Sequence, residues 1–256
     1  MNLFYVILRT IIYTYLVFFV ERGIRLKALE VIEVTTEIDQ KKLIDHASFS
    51  LPQGTITALV GHNGAGKSTL LKTIMGMIKK AQGKIIINES FHQDDDFITF
   101  KLLLSYLPEE PMLLTELTVM QHFQLYGMSY EIAKNELNER IDRMVKGFEL
   151  VDKLDEYPES LSKGMRQKVQ TICALLPDTP LLLIDEPFMG LDIYAVDYFE
   201  QLIKEKIASG TTVLVTSHQL DRMKGIADAF IMLKEGKIHS QGPINQFATI
   251  DRRIKK

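Results

Sequence analysis

The glycine-rich run GHNGAGKST, residues 61–69, constrains the fold of this chain more than any other part of its sequence. It follows the apolar run TITALV, which predicts a strand, and it leads into STLLKTIMGMIKK (68–80), whose apolar spacing predicts a helix. Glycines in such a loop let backbone N–H groups converge on phosphate oxygens, and the helix N-terminus adds partial positive charge. This order of elements therefore predicts a phosphate-binding loop. We assign nucleotide binding to the whole loop: Gly61, His62, Asn63, Gly64, Ala65, Gly66, Lys67, Ser68 and Thr69.

Three side chains of the loop have separate expected roles. Lys67 would reach the β and γ phosphates of a nucleoside triphosphate, where it would assist catalysis. Ser68 would place its hydroxyl on Mg²⁺, and Thr69 would support the α phosphate. His62 stands at a variable position of such loops, so we assign it no chemistry of its own.

A second chemical feature is the pair of acids that ends LLLIDE, residues 181–186. A parallel strand buried on both faces has a continuous apolar sequence, and ligands bind at the carboxyl ends of such strands. Taken alone, two acids there would more often be solvated residues at a strand end. Downstream of a phosphate-binding loop, Asp185 is expected to bind Mg²⁺ and Glu186 to orient or deprotonate the water that attacks the γ phosphate.

The rest of the chain alternates strand-like and helix-like segments. Short β-rich runs dominate from Leu29 onward, the signals become helical between Pro108 and Pro177, and strands and helices then alternate again. This alternation predicts an α/β fold with a parallel sheet and right-handed crossovers, interrupted by a mostly helical insertion.

Composition narrows the classes of partner. The net charge is −3 and no long run of Lys or Arg occurs, so the broad positive surface of a duplex-binding protein is missing. We therefore expect no nucleic-acid partner. The one cysteine, Cys173, lies in the apolar run QTICALL without a CxxC companion, which favours a buried core residue over a catalytic thiol.

Residues 1–28 form an apolar N-terminal extension with two open interpretations. Residues 3–20 are almost wholly apolar and long enough to cross a bilayer, and the basic residues Arg22, Arg25 and Lys27 would keep the following chain in the cytoplasm. Alternatively, residues 1–25 are not translated and Leu26 corresponds to the start codon. A peptide from residues 2–20 in the native protein would exclude this second interpretation.

The order of five motifs resembles the complete motif set of ABC ATPases: GHNGAGKST, LSKGM (161–165), LLLIDE, MGLD (189–192) and His218. The resemblance implies a P-loop NTPase fold of the ABC ATPase type, α/β with a mixed sheet core, an antiparallel β subdomain and a helical insertion subdomain. It implies an ABC ATPase domain at residues 29–248, with the helical subdomain at about 109–176, and leaves 249–256 as a basic tail. ATP and Mg²⁺ are the implied ligands.

The same resemblance implies a site shared between two subunits. Ser162 and Gly164 would contact the γ phosphate of ATP held by a second ABC ATPase subunit. His218 would contact the γ phosphate as a catalytic switch, and Asp192 would link the two sites across the dimer. Lys163 replaces the commoner glycine, and its ammonium would either strengthen the phosphate contact or project into solvent.

Two positions depart from the family pattern. Glu109 follows LLLSYLP, where the family has a glutamine that couples the γ phosphate to the membrane partner. A carboxylate can ligate Mg²⁺ and contact the nucleotide, but it lacks the donor of an amide. Ile38 stands where an aromatic residue usually stacks on adenine, so weaker discrimination between ATP and GTP is expected.

Four runs, YLPEEP, TELTV, LSKGM and DEPFMGLD, resemble ABC-2-type export ATPases, and Ecs-type ATP-binding subunits in particular. The resemblance implies an ATPase that forms a homo- or heterodimer around two Mg-ATP at the cytoplasmic face of the cell membrane. It would drive a separate membrane permease in export, with Glu109 and residues 113–123 as the docking face. The apolar residues of that stretch fit a protein core equally well.

A non-transport ABC ATPase is the alternative function. Such proteins typically carry coiled-coil insertions, zinc modules or two cassettes, and the sequence shows no sustained heptads or Cys clusters.

Overall fold

The computed structural model describes residues 26–217 and 225–247. The strands are β1 (Lys27–Ile38), β2 (Lys41–Pro52), β3 (Ile56–Val60), β4 (Gln82–Ile87), β5 (Phe91–His92), β6 (Leu104–Leu107), β7 (Leu181–Asp185), β8 (Thr212–Thr216), β9 (Ala229–Lys234) and β10 (Lys237–Pro243). The α-helices are α1 (Lys67–Ile74), α2 (Phe97–Leu102), α3 (Val119–Ser129), α4 (Lys134–Gly147), α5 (Lys163–Leu175) and α6 (Ile193–Ala208). Short 3₁₀ turns cover Val151–Lys153, Pro158–Ser160 and Ile244–Gln246.

The larger sheet has six strands in the order β10-β9-β3-β8-β7-β6. Its first strand pairs antiparallel and the other five run parallel. Every residue of β3, β7 and β8 is buried, and for β7 its continuous apolar sequence predicted this. Because the carboxyl ends of parallel strands meet at one edge, the glycine-rich loop after β3 and the acids at the end of β7 lie side by side.

A smaller antiparallel sheet, in the order β2-β1-β4-β5, packs with α1 against one face of the larger sheet. Alternate residues of a strand point to opposite faces, so Leu181 and Leu183 join this core while Leu182 and Ile184 join the core on the other face. The second core includes α5, α6 and Cys173, which is fully buried, and burial raises the pKa of its thiol. The predicted fold class and the prediction of a core cysteine are confirmed.

Three long helices, α3 to α5, lie between β6 and β7, where the sequence predicted helices. Helix α3 begins at a capping box in which Thr118 and Gln121 each accept a hydrogen bond from the backbone N–H of the other. Val119 and Phe123 are fully buried, so these two members of the expected docking stretch belong to the core.

Helix α1 is shorter than its sequence predicted. The apolar spacing indicated a helix over 68–80, but the helix covers Lys67–Ile74. Gly76 adopts a left-handed conformation with φ of 71°, which ends a helix at little cost for a residue without a side chain.

Several sequence predictions fall outside the described residues. These are the apolar extension except its last residues, His218 and the basic tail. Within the described ranges, none of the helices has the length and apolar character needed to cross a membrane.

Candidate functional site

A cleft of about 470 Å³ opens at the carboxyl edge of the larger sheet. The glycine-rich loop forms one wall, and the acids at the end of β7 and Glu109, two residues after β6, form another. Its lining residues are Leu43, Asn63, Gly64, Gly66, Lys67, Ser68, Thr69, Glu109, Asp185 and Glu186. The fold thus brings residues from four parts of the sequence into one site.

Glycine is required in this loop for two different reasons. A Cβ at Gly61 would lie 2.4 Å from the carbonyl oxygen of Leu233, so the backbone passes too close to β9 for any side chain. Gly66 has φ of 105° and forms the N-cap of α1. Since it has no side chain, no side-chain oxygen occupies the amides of the first helical turn, which are the groups that bind phosphate.

Lys67 is buried, and its ammonium donates to the carbonyl oxygens of Gly61 at 2.9 Å and His62 at 3.4 Å. The charge is therefore held inside the curve of the loop, next to the place where phosphates would lie. The His62 ring is exposed and pairs with the carbonyl of Asn63, so it lies outside the lining of the cleft. Ala65 is buried behind the loop.

Both acids of β7 are almost inaccessible to solvent, with 3 % of Asp185 and 7 % of Glu186 exposed. One hydroxyl contacts both: Thr216 Oγ1 donates to Asp185 Oδ1 at 2.6 Å and accepts from the backbone N–H of Glu186 at 3.0 Å. Glu186 has φ of 47°, which turns the chain out of the strand immediately after Asp185. Thr216 was not among the site residues predicted from the sequence, although a hydroxyl at the end of the apolar run TVLVT was the available signal.

Tyr106 on β6 is another neighbour of Asp185 that the sequence did not reveal. Burial raises the pKa of Tyr106 most, and the charges of Asp185 and Glu109 and a hydrogen bond to Asp185 raise it further. The phenol therefore stays protonated and remains a hydrogen-bond donor beside the acid.

The two positions that depart from the family pattern differ in their placement. Glu109 lines the cleft together with Asp185 and Glu186, where its carboxylate adds negative charge. Ile38 is exposed at the end of β1 and is not among the lining residues. The apolar side chain that does line the cleft is Leu43, from the following strand.

The LSKGM turn, residues 161–165, lies outside this cleft. Ser162 is the N-cap of α5 and accepts from the backbone N–H of Met165 at 3.2 Å. A Cβ at Gly164 would lie 2.7 Å from the carbonyl oxygen of Gly190, so the turn packs backbone to backbone against the MGLD segment.

Lys163 forms an ion pair with Glu110, with Nζ and Oε1 3.0 Å apart. The Lys163 ammonium was expected either to contact phosphate or to project into solvent. It lies at the surface, but it is paired with a carboxylate of the same chain. Both side chains are more than half exposed, so the pair itself contributes little to stability. It nevertheless connects the LSKGM turn to the segment that follows β6.

Asp192 is fixed within its own chain. It is the N-cap of α6, accepting from the backbone N–H of Ala195 at 2.9 Å, and it pairs with Lys168 of α5 at 2.8 Å. The hydrogen bond from Lys168 is the main cause that lowers the pKa of Asp192. The LSKGM turn and the MGLD segment are thus joined by Lys168, whose side chain is 11 % exposed, as well as by the Gly164 contact.

The residues of the cleft fit a nucleoside triphosphate with Mg²⁺. Loop amides and Lys67 suit phosphate oxygens, and the oxygens of Ser68 and Asp185 are the hard ligands that Mg²⁺ prefers. Within residues 26–217 and 225–247, no three His, Cys, Asp or Glu side chains cluster closely enough to hold a metal ion. Mg²⁺ commonly takes one or two carboxylates and completes its shell with phosphates and water, which agrees with this arrangement.

A parallel sheet, a glycine loop leading into a helix and paired acids on a neighbouring strand define a P-loop nucleoside triphosphatase. Residues 44–189 match the sequence profile of the ABC transporter family. Together with the relatives below, this match shows that the chain belongs to that family, as its ATP-binding and ATP-hydrolysing subunit.

Relatives match over most of the chain. The ABC-type transporter ATP-binding protein EcsA of Bacillus subtilis (strain 168) is 34% identical over 219 residues, covering 85% of this chain and 88% of its own length. The SkfA peptide export ATP-binding protein SkfE of the same organism is 32% identical, covering 80% and 84%. A solved ATP-binding subunit of an ABC transporter superposes with a TM-score of 0.83 at 33% identity, covering 89% of this chain and 93% of that chain. The predicted similarity to Ecs-type subunits is confirmed.

Proposed function

We propose that two copies of this chain, or one copy and a related subunit, close around two Mg-ATP and drive a separate membrane permease in export. The observation that carries this proposal is the separation of the two phosphate-binding elements. The cleft contains the glycine loop and both acids, whereas Ser162 is exposed outside it. A second subunit that presents its own Ser162 would complete the cleft.

Within one cleft, the residues of this chain would divide the work of hydrolysis. The loop amides and Lys67 would bind the phosphates, and Ser68 and Asp185 would hold Mg²⁺, which would neutralise charge on the phosphate oxygens. Glu186 orients the attacking water and accepts its proton. His218 contacts the γ phosphate by resemblance to the family, and the LSKGM turn of the partner supplies further donors.

The surface around the MGLD segment supports dimerisation. Met189, Ile193 and Tyr194 are exposed apolar residues, and 79 % of Tyr194 is accessible. They lie beside the LSKGM turn, which packs against Gly190. Adjacent exposed apolar residues commonly mark an interaction surface, and here they border the element that needs a partner.

A second surface supports docking of a permease. The segment that follows Glu109 is fixed by two buried side chains, because Met112 N–H donates to Gln170 Oε1 at 2.9 Å and Leu114 N–H donates to His122 Nε2 at 2.9 Å. The Met112 and Leu114 side chains nevertheless remain exposed. We propose that they contact an apolar helix of a permease and hold this chain at the cytoplasmic face of the cell membrane. The relative SkfE is named as a peptide export ATP-binding protein, which supports export as the direction.

Dimer closure can be tested with Glu186→Gln, which removes the base but keeps ATP binding. We expect this variant to form a stable ATP-dependent dimer, measured by light scattering, and to lose turnover. Adding Ser162→Arg should prevent the dimer because the bulky cation would collide with the facing site. Ser129→Arg, at another exposed serine, is the matched control and should leave the dimer intact.

Two outcomes would contradict the proposal: an ATP-dependent dimer that persists with Ser162→Arg, or no dimer in Glu186→Gln. Co-purification from membranes then tests transport, since a non-transport ABC ATPase would carry no permease with it.

A further inference from the structure

Thr216 lies in the middle of the sheet edge that forms the cleft, and none of the roles described above involves it. It ends β8, which lies between the strand of the glycine loop and the strand of the acids, and its register partners are Leu59 of β3 and Asp185 of β7. The residue is fully buried. Its hydroxyl is therefore available only to groups of the site itself.

The Thr216 hydroxyl both donates and accepts a hydrogen bond within the site. A hydroxyl has one proton, which goes to Asp185 Oδ1 at 2.6 Å, a distance typical of a bond to a charged carboxylate. A lone pair of the same oxygen accepts from the Glu186 N–H at 3.0 Å. The two acids are thus connected through one atom.

We propose that Thr216 is the positioning residue of the hydrolytic site. It orients the Asp185 carboxylate to bind Mg²⁺, and it holds the Glu186 backbone so that the Glu186 side chain can orient the attacking water. This inference rests on the proposed function of the cleft. A buried carboxylate is costly unless its oxygens are hydrogen-bonded, and a bond to one oxygen also limits rotation of the group. Glu186 adopts a positive φ, and the bond to its N–H holds the chain in that turn.

The same strand offers a control residue, because it contains a second buried threonine whose hydroxyl does not contact the acids. Thr212, at the other end of β8, is also fully buried, accepts from the Gly54 N–H at 2.9 Å and donates to the Pro52 carbonyl at 3.5 Å. Its partners are backbone groups far from the acids. Thr212→Val and Thr216→Val therefore remove comparable buried hydroxyls, and only the second would change the site.

The test measures how strongly Mg²⁺ promotes binding of the fluorescent nucleotide MANT-ATP to the full chain carrying Glu186→Gln. We expect Thr216→Val to raise the half-saturating Mg²⁺ concentration by about 10- to 100-fold, the range for residues that orient a metal ligand. Thr212→Val should leave this concentration unchanged. MANT-ATP affinity in EDTA should be the same in all variants, because the loop and Lys67 do not depend on Thr216.

A second pair covers the case in which Thr216→Val does not fold. Thr216→Ser and Thr216→Ala both lose the γ-methyl group, and only serine keeps the hydroxyl. Serine should retain the Mg²⁺ dependence and alanine should lose it. Equal Mg²⁺ requirements in Thr216→Val and Thr212→Val, or in the serine and alanine variants, would overturn the inference.

Failure of the proposed function would give a different result. The Glu186→Gln chain would then bind MANT-ATP no better than its Lys67→Ala derivative, even with Thr216 intact.

Discussion

At the scale of single residues, Gly164 has a role that is separate from phosphate binding. The resemblance to ABC ATPases implied that Gly164 contacts the γ phosphate of ATP held by a second subunit. In the structure its Cα already lies against the carbonyl of Gly190 in the same chain, where a Cβ would come within 2.7 Å. Both contacting groups are backbone atoms, so no side-chain rotation can relieve the clash. Any substitution of Gly164 must therefore displace the MGLD segment.

We therefore predict that Gly164→Ala lowers ATPase turnover by about 10- to 100-fold, as expected for a displacement of roughly 1 Å at a catalytic assembly. ATP binding by the isolated chain should be preserved, because Gly164 lies outside the cleft of its own chain. Steady-state ATPase assays and nucleotide titration check this. Gly225, which has open space around it, provides Gly225→Ala as a control with normal turnover. Normal turnover in Gly164→Ala itself would contradict the packing argument.

At the scale of elements, an ion-pair cluster joins the helices that cover one face of the larger sheet. Asp178, in the loop between α5 and β7, pairs with Arg140 of α4 and with Lys206 of α6, the latter at 2.6 Å. Burial alone would raise the pKa of Asp178, but the hydrogen bonds and charges of Lys206 and then Arg140 lower it overall. One carboxylate thus connects two helices that are distant in sequence.

Asp178→Asn should lower the melting temperature by about 2–4 °C at pH 7. This corresponds to a loss of about 1 kcal/mol in the free energy of unfolding, a value kept small because solvent screens a partly exposed group. A lowered pKa means that the contribution is present above the usual carboxylate pKa of about 4 and is lost as the pH falls through the folded value. The difference from wild type should therefore shrink below about pH 4 in thermal unfolding measured by circular dichroism. Asp142→Asn, which removes the exposed pair with Lys146, should change the melting temperature less. A difference that grows on acidification would be inconsistent with this assignment.

At the scale of the whole molecule, the proposed dimer would cover the exposed apolar residues beside the MGLD segment. Ile193 is the first residue of α6, where an acidic side chain favours the helix through its dipole. A charge can therefore be introduced at this position without destabilising the fold.

We predict that Ile193→Asp abolishes the ATP-dependent dimer of the Glu186→Gln chain while the melting temperature of the monomer stays the same. A buried unpaired carboxylate in the interface would cost more than the interface gains at this position. Met128→Asp, at another exposed apolar residue, is the matched control and should dimerise normally. The measurement is light scattering with and without ATP, and a normal dimer in Ile193→Asp would remove this face from the interface.

The sequence by itself determined the class of this protein, because its strongest signals are local. The glycine loop works through backbone conformation, so residues 61–69 and the flanking strand and helix predict it without knowledge of the rest. The apolar run of β7 likewise predicts both its burial and the position of the acids at its end. The helices between β6 and β7 follow from their apolar spacing in the same way.

Only the tertiary structure decided which residues support those motifs, since support comes from neighbours in space. Thr216 and Tyr106 approach Asp185 because β8 and β6 flank β7 in the sheet, an order that no local pattern encodes. The same reason explains why Lys163 meets Glu110 and why Lys168 holds Asp192. Local backbone chemistry fixes the phosphate-binding loop, whereas strand order and helix packing decide which side chains contact the acids beside it.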